Sequence, residues 1–172
     1  MPQRYFPHFP DEAKLWVYPL ARELSAADRA RVTARLDTFL QEWNSHGAPV
    51  HGAYEIFENR FVLIAGYVDG GVGGCSTDSM VRVMKALRQE DGIDGFERSL
   101  VFFRDADRRV QSASRTDFGA MVGAGRVGPE TTVFDATIQF VGDLHRGGFE
   151  TTFGNSWHAR AFPGGNNQEM RP

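Results

Sequence analysis

The stretch VDGGVGGCSTDSM, Val68 to Met80, holds the chain's only cysteine. Glycines fill four of the five positions 70–74 just before Cys75, and Ser76, Thr77, Asp78 and Ser79 come after it. Met80, Val83, Met84 and Leu87 then fall at i, i+3, i+4 and i+7, which predicts an amphipathic helix. With Cys75 or Ser76 as its N-cap, the thiol sits at the positive end of that helix. A thiolate is favoured there, and the thiol pKa can fall from its usual ~8.5 by a unit or more. Glycines carry an entropic cost on folding and permit close backbone approach to a ligand. Cys75 is therefore a candidate nucleophile, and Gly73, Gly74, Ser76 and Asp78 are candidate ligand-binding residues. Each also has a plainer reading: a small buried thiol, followed by ordinary capping and first-turn residues.

A nucleophilic thiol needs a base. His158 is the candidate, in NSWHAR (Asn155–Arg160), an irregular, glycine-flanked stretch where regular packing does not obviously require such residues. Loops carry function disproportionately, so Ser156, Trp157 and Arg160 join the candidate binding set. The other reading is a Trp that plugs the core, with His and Arg bonded to loop carbonyls. Arg60, after Asn59, could hold an acidic group, or be a surface Arg following a turn residue. His46 and His51 are five apart, His145 and His158 thirteen apart, and Cys75 is alone; none of this is a compact metal-ligand pattern. No metal and no cofactor are implied.

Three segments, FENRFVLIA, GGCSTDSM and NSWHARAF, carry the motifs N-R-F, G-C-S-x-D and S-W-H-x-R in that order. In this the chain resembles a family of small uncharacterised bacterial proteins, over about residues 5–162. Members of that family are often labelled "ABC transporter ATPase", and the resemblance implies no established activity. The label can be tested on the residues. A nucleotide-binding P-loop reads G-x-x-x-x-G-K-[ST], with a Lys reaching the terminal phosphates. GGVGGCST supplies the glycines and the Ser but no Lys, and no LSGGQ-like signature follows. An ABC-type ATPase is not expected. What remains is a glycine-rich loop before a helix start, a possible anion cradle.

The elements that would position these residues are legible over the first two thirds. KLWVYPLA (Lys14–Ala21) reads as a strand with apolar groups on both faces. Ser25 and Asp28 make a capping box, and Val32, Leu36, Phe39, Leu40 and Trp43 form one helical stripe, with Gly47 as its stop. PVHGAYEIFENRFVLIAGYVD reads as two strands around ENR. The cysteine-bearing helix follows, stopped by Gly92, and then RSLVFFRD (98–105) as a strand. This order predicts an α+β fold, ferredoxin-like (βαββαβ), with an antiparallel sheet and two helices on one face. Beyond it, RVQSAS reads as a strand, TDFGAMVGAG as a short helix capped by Thr116 or Asp117, and TTVFDATIQF as either type. The expected organisation is an extended arm over 1–12, a core over 13–105, a C-terminal extension over 106–162 packed on it, and a disordered tail over 163–172.

The bulk numbers fit one soluble domain. The 172 residues are 41% hydrophobic and 24% charged, with 14 Phe and a net charge of -3. The mild negative charge argues against broad phosphate-backbone binding. One cysteine cannot form an intrachain disulfide, and the start has no apolar signal-like region, so a cytoplasmic location is expected. No run reaches the ~20 apolar residues of a membrane span. The leading expectation is small-molecule or anion binding at the glycine-rich loop, with thiol chemistry. The alternative is a non-catalytic RNA- or protein-binding domain that displays Trp16, Tyr18 and Phe61 on the sheet face.

Overall fold

The computed structural model describes residues 5–166. Their backbone is a mixture of α-helices and antiparallel sheets. Contacts divide the chain into two units, Met1–Glu97 with Thr137–Arg146, and Arg98–Ala136 with Gly147–Pro172.

The first unit is built on a three-stranded antiparallel sheet of β1 (Lys14–Pro19), β4 (His51–Phe57) and β5 (Phe61–Tyr67) in the order β1-β5-β4. β5 is the apolar run read as a central strand, and Phe61 through Ala65 are all 0% exposed. Alternate residues of a strand face opposite sides, so this central strand is buried on both faces. On one of them α1 (Ala26–Glu42) and α2 (Gly74–Asp91) join Tyr18, Val62 and Ile64 in a core with Val32, Leu36, Trp43, Met80, Met84 and Leu87. α1 starts at the capping box expected from its sequence. Asp28 N–H donates to Ser25 Oγ (3.1 Å), and Ser25 N–H donates to Asp28 Oδ2 (3.0 Å). The Arg22 guanidinium, with Ser25, holds the Asp28 carboxyl well below the usual carboxylate range.

Three of the four strands expected to share one sheet, β1, β4 and β5, do pair with one another here. The fourth differs. The strand expected over 98–105 is β6 (Leu100–Arg104), which belongs to the sheet of the second unit. The outer side of β1 is instead met by residues 139–141: Leu15 N–H donates to the Gln139 carbonyl and Val141 N–H to the Ala13 carbonyl, both at 2.9 Å. These contacts lead into α4 (Val141–His145). The expected span of 13–105 therefore does not coincide with either unit.

Two further expectations are corrected. α1 ends at Glu42 and its C-cap, Trp43, is already extended. Gly47 does not stop the helix. It belongs to a hairpin of β2 (Asn44–Ser45) and β3 (Ala48–Pro49), whose two turn residues His46 and Gly47 have φ of 51° and 81°. Two successive positive φ values are the mark of the tight hairpin turn that matches strand twist. Residues 5–12, expected as an extended arm, run through turns instead, with Phe6 4% exposed; residues 1–4 lie outside the described residues.

The second unit has a four-stranded antiparallel sheet in the order β7-β6-β8-β9, with β7 at Val110–Ser114, β8 at Thr132–Phe134 and β9 at Glu150–Thr152. α3 (Arg115–Gly123) is capped by Ser114, ahead of the expected Thr116 or Asp117. Phe118 and Val122 of α3 join Val101, Phe103, Val133 and Phe153 in its core. A 3-10 turn over Phe153–Asn155 leads into the short α5 (His158–Ala161). Pro163–Asn166 form another 3-10 turn, and the rest of the expected tail, 167–172, lies outside the described residues.

Candidate functional site

The glycine-rich loop leaves β5 at Tyr67 and turns at once. Gly71 N–H donates to the Val68 carbonyl (2.9 Å), and Gly70 and Gly71 both have φ of +86°. A side chain is strained at such angles, so these two glycines are explained by the turn itself. α2 then begins two or three residues earlier than the capping pattern suggests. Its N-cap is Gly73, which has no side chain to bond the first amides. Gly74 and Cys75 therefore lie in the first turn, and both are exposed. The buried-thiol reading of Cys75 is excluded by this exposure.

The residues after Cys75 divide into structural and open ones. Ser76 is 5% exposed. Its hydroxyl donates to the Asn44 carbonyl (2.6 Å), and its own carbonyl accepts the indole N–H of Trp43 (2.9 Å). Ser76 is thus a tether between α2 and the end of α1, with its proton committed. Thr77 and Ser79 hydroxyls bond back to the carbonyls of Gly73 and Cys75. Asp78 is exposed and lies past the first turn, beyond the amides it was expected to balance.

The 44–49 hairpin supplies the neighbour of the helix start. Gly73 N–H donates to Ser45 Oγ (3.0 Å). A Cβ added to Gly73 would lie 2.9 Å from His46 Nε2. The imidazole of His46 therefore stands against the N-cap, and its residue is exposed. The sequence marks His46 only by its spacing from His51, and the two-residue turn it forms with Gly47 is the signal for its place here. Among the described residues no group of three or more His, Cys, Asp or Glu is placed to hold a metal.

Upstream, a groove of about 220 Å³ is lined by Glu12, Lys14 and residues 66–72. It carries one ammonium, Lys14, and two carboxylates, Glu12 and Asp69. That balance does not suit an anion, so the part of the loop that favours negative charge is the uncapped start of α2.

Arg60 is 8% exposed, not a surface cation. Burial lowers its pKa, opposed by Glu23. Its backbone holds the β4–β5 loop, with its N–H on the Phe57 carbonyl and its carbonyl accepting Leu20 N–H. A side chain so enclosed is not offered to a ligand in solution.

NSWHAR lies in the second unit. Trp157 and His158 stack, with ring centroids 3.8 Å apart and planes at 21°. Trp157 Nε1 donates to Asp135 Oδ1 (3.2 Å), and the Arg115 guanidinium lies 6.0 Å from the Trp157 ring centroid. His158 is 1% exposed, and burial pushes its pKa down to about 4, with Asp135 opposing and Arg115 assisting. Ser156 Oγ donates to the Phe153 carbonyl (2.9 Å) and lies 3.0 Å from His158 Nδ1. Since the serine proton is committed to a carbonyl, Nδ1 carries its own proton and donates to Oγ. Neutral, enclosed and donating, His158 is a packing residue of its unit and does not have the surroundings of a general base. Arg160 and Asn155 are exposed. Asp135 and Arg115, which frame this cluster, had no motif in the sequence to mark them.

The sheet-face alternative meets a plain obstacle. Tyr18 and Phe61 are buried, at 3% and 0% exposure, and Trp16 is half-buried edge-on to Trp43. No helix among the described residues is long and apolar enough to cross a membrane. No protein-family model, curated protein or solved structure matches the chain.

Proposed function

We propose that the first unit binds a small oxyanion at the start of α2, with the Cys75 thiol beside it. The observation that carries this reading is the glycine N-cap: Gly73 leaves the first amides of an 18-residue helix without a side-chain cap, and His46 Nε2 stands against it. Helix N-termini offer aligned N–H groups and a positive dipole end to an anion. Gly74 adds no bulk, with no atom within 4 Å of where its Cβ would be. His46 adds a ring nitrogen beside the N-cap. The loop, not the groove, is the binding element, and Ser76, Arg60 and the NSWHAR residues are its scaffold or lie in the other unit. The frame is read as ferredoxin-like over βαββα, with its fourth strand position taken by residues 139–141.

The test is a titration of the full chain with inorganic phosphate, followed by the amide resonances of Gly73–Ser76. A few hydrogen bonds and one partial charge support a dissociation constant on the order of 1 mM, about -4 kcal/mol. The expected result is saturable movement of those amides, weakened in His46→Ala, together with slower alkylation of Cys75 when phosphate is present. Unmoved amides and an unprotected thiol would sink the reading. RNA or protein recognition by the sheet face is not favoured, because its aromatics are buried.

A further inference from the structure

The groove lined by Glu12, Lys14 and residues 66–72 takes no part in the oxyanion site at α2, yet three charged side chains meet on it. Glu12, Lys14 and Asp69 are all exposed. Among the described residues, none of the three side chains has a hydrogen-bond or ion-pair partner. Opposite charges that share a groove without pairing to one another suit a ligand that carries both signs. We propose that the groove binds a small zwitterion of the amino-acid class, its ammonium taken by Glu12 and Asp69 and its carboxylate by Lys14.

Each charge stands on backbone that is already fixed. Glu12 lies inside the turn closed by Ala13 N–H on the Pro10 carbonyl (3.0 Å). Both of its neighbours are held as well: the Asp11 carbonyl accepts Gly142 N–H and the Ala13 carbonyl accepts Val141 N–H, each at 2.9 Å. Asp69 lies inside the turn closed by Gly71 N–H on the Val68 carbonyl, and Gly70 after it has the positive φ that a type II turn requires at its third position. Lys14 opens β1, directly opposite Gly66 of β5. Side chains directly opposite in an antiparallel pair are neighbours, so the bare backbone of Gly66 leaves room beside the Lys14 stem. A ligand has only the ends of three side chains to order, which keeps the entropic cost of binding low.

Charge and size narrow the ligand. A lone carboxylate is drawn to Lys14 and repelled by Glu12 and Asp69. A lone ammonium gains both carboxylates and is repelled by Lys14. A molecule with both groups is attracted by all three. The groove of about 220 Å³ has room for roughly seven water-sized groups at about 30 Å³ each, the size of a small amino acid. Val68 and Val72 in its lining are 8% and 7% exposed. They offer little apolar surface to a long side chain, so a short one is favoured.

The experiment titrates the full chain with L-alanine in phosphate-free buffer, which leaves the start of α2 unengaged, and follows the amide resonances of Lys14 and of Asp69–Val72. Ethylammonium and propionate, each with one of alanine's two charges, are titrated alongside. The expected result is saturable movement with alanine, with a dissociation constant on the order of 10 mM. Ethylammonium binds about two- to fivefold more weakly, the worth of one exposed ion pair, and propionate does not saturate. Glu12→Gln and Asp69→Asn each weaken alanine binding by about the same factor, with the melting midpoint unchanged because both side chains are exposed. Lys14→Met abolishes the preference for alanine over ethylammonium. No saturable movement with alanine, propionate binding as tight as alanine's, or wild-type alanine binding in both carboxylate variants would each overturn the site.

Discussion

The indole N–H of Trp43 donates to the carbonyl of Ser76 across 2.9 Å, joining the residue that ends α1 to the first turn of α2. Ser76 returns the tie through its hydroxyl on the Asn44 carbonyl. The exposed turn that carries Cys75 is thus fixed by a buried ring. Trp43 also packs on Phe39 and Trp16, at centroid distances of 5.1 Å and 5.7 Å. Position at the candidate site and stability of the first core are set by the same side chain.

Trp43→Ala is expected to cost ~3–5 kcal/mol, as large-to-small core changes do. Trp43→Phe keeps most of the packing and loses the donor, for about 1–3 kcal/mol. Denaturant melts of the two variants check both figures. A loss below ~1 kcal/mol in Trp43→Ala would place the ring outside the core.

The glycines divide by what a methyl group would meet. At Gly66 a Cβ would lie 2.6 Å from Trp43 Cη2, against a ring held on several sides. Gly66→Ala is expected to destabilise by ~1–3 kcal/mol, the usual cost of overpacking. At Gly74 the space is open and the residue is helical, so Gly74→Ala stabilises by up to ~1 kcal/mol. If Gly74 serves ligand approach, the same variant weakens phosphate binding while it raises the melting midpoint. A gain in stability with unchanged phosphate binding would assign Gly74 no part in the site.

The sequence spoke most clearly where a local pattern and the burial it implies coincide. Ser25 and Asp28 three residues apart led to a complete capping box, the run ending at Tyr67 to a central strand, and Gly92 to a left-handed cap with φ of 66°. Gly73 gives no local N-cap signal because a glycine caps without a side chain, and the Ser-rich run after Cys75 is the stronger pattern. Gly47 fitted a helix stop equally well until its partner His46 is seen to share its positive φ. The pairing of residues 139–141 with the outer side of β1 joins segments more than a hundred residues apart, which no local periodicity encodes. Arg60 and His158 read as polar loop residues, yet both are buried.

Cys75 is expected to react with a small haloacetamide in the native protein, because its residue is exposed in the first turn of α2. The rate should respond to His46→Ala more than to His158→Ala. Labelling that requires denaturant would show that the thiol is enclosed. A large effect of His158→Ala, with folding intact, would restore that residue as the partner of the thiol.

His158 supplies a pH dependence whose sign follows from its enclosure. Burial holds its folded pKa near about 4, against ~6.5 for an unfolded histidine. Between these values the unfolded chain binds more protons than the folded one, so stability rises with pH across that window. The contribution is complete above pH ~6.5 and is lost as pH falls towards about 4, with a ceiling of roughly 3 kcal/mol at 1.36 kcal/mol per unit. The second unit should therefore weaken in mild acid, with the stacked Trp157 reporting it by a fluorescence change. His158→Gln can donate to Ser156 and carries no titrating proton, so its stability should be flatter over the same range while its value near neutrality falls from imperfect packing against Trp157 and Phe118. Melts of the two proteins at a series of pH values between ~4 and ~7 decide the matter. If His158→Gln keeps the wild-type slope, the acid sensitivity belongs to another group and the enclosed, neutral imidazole is not its source.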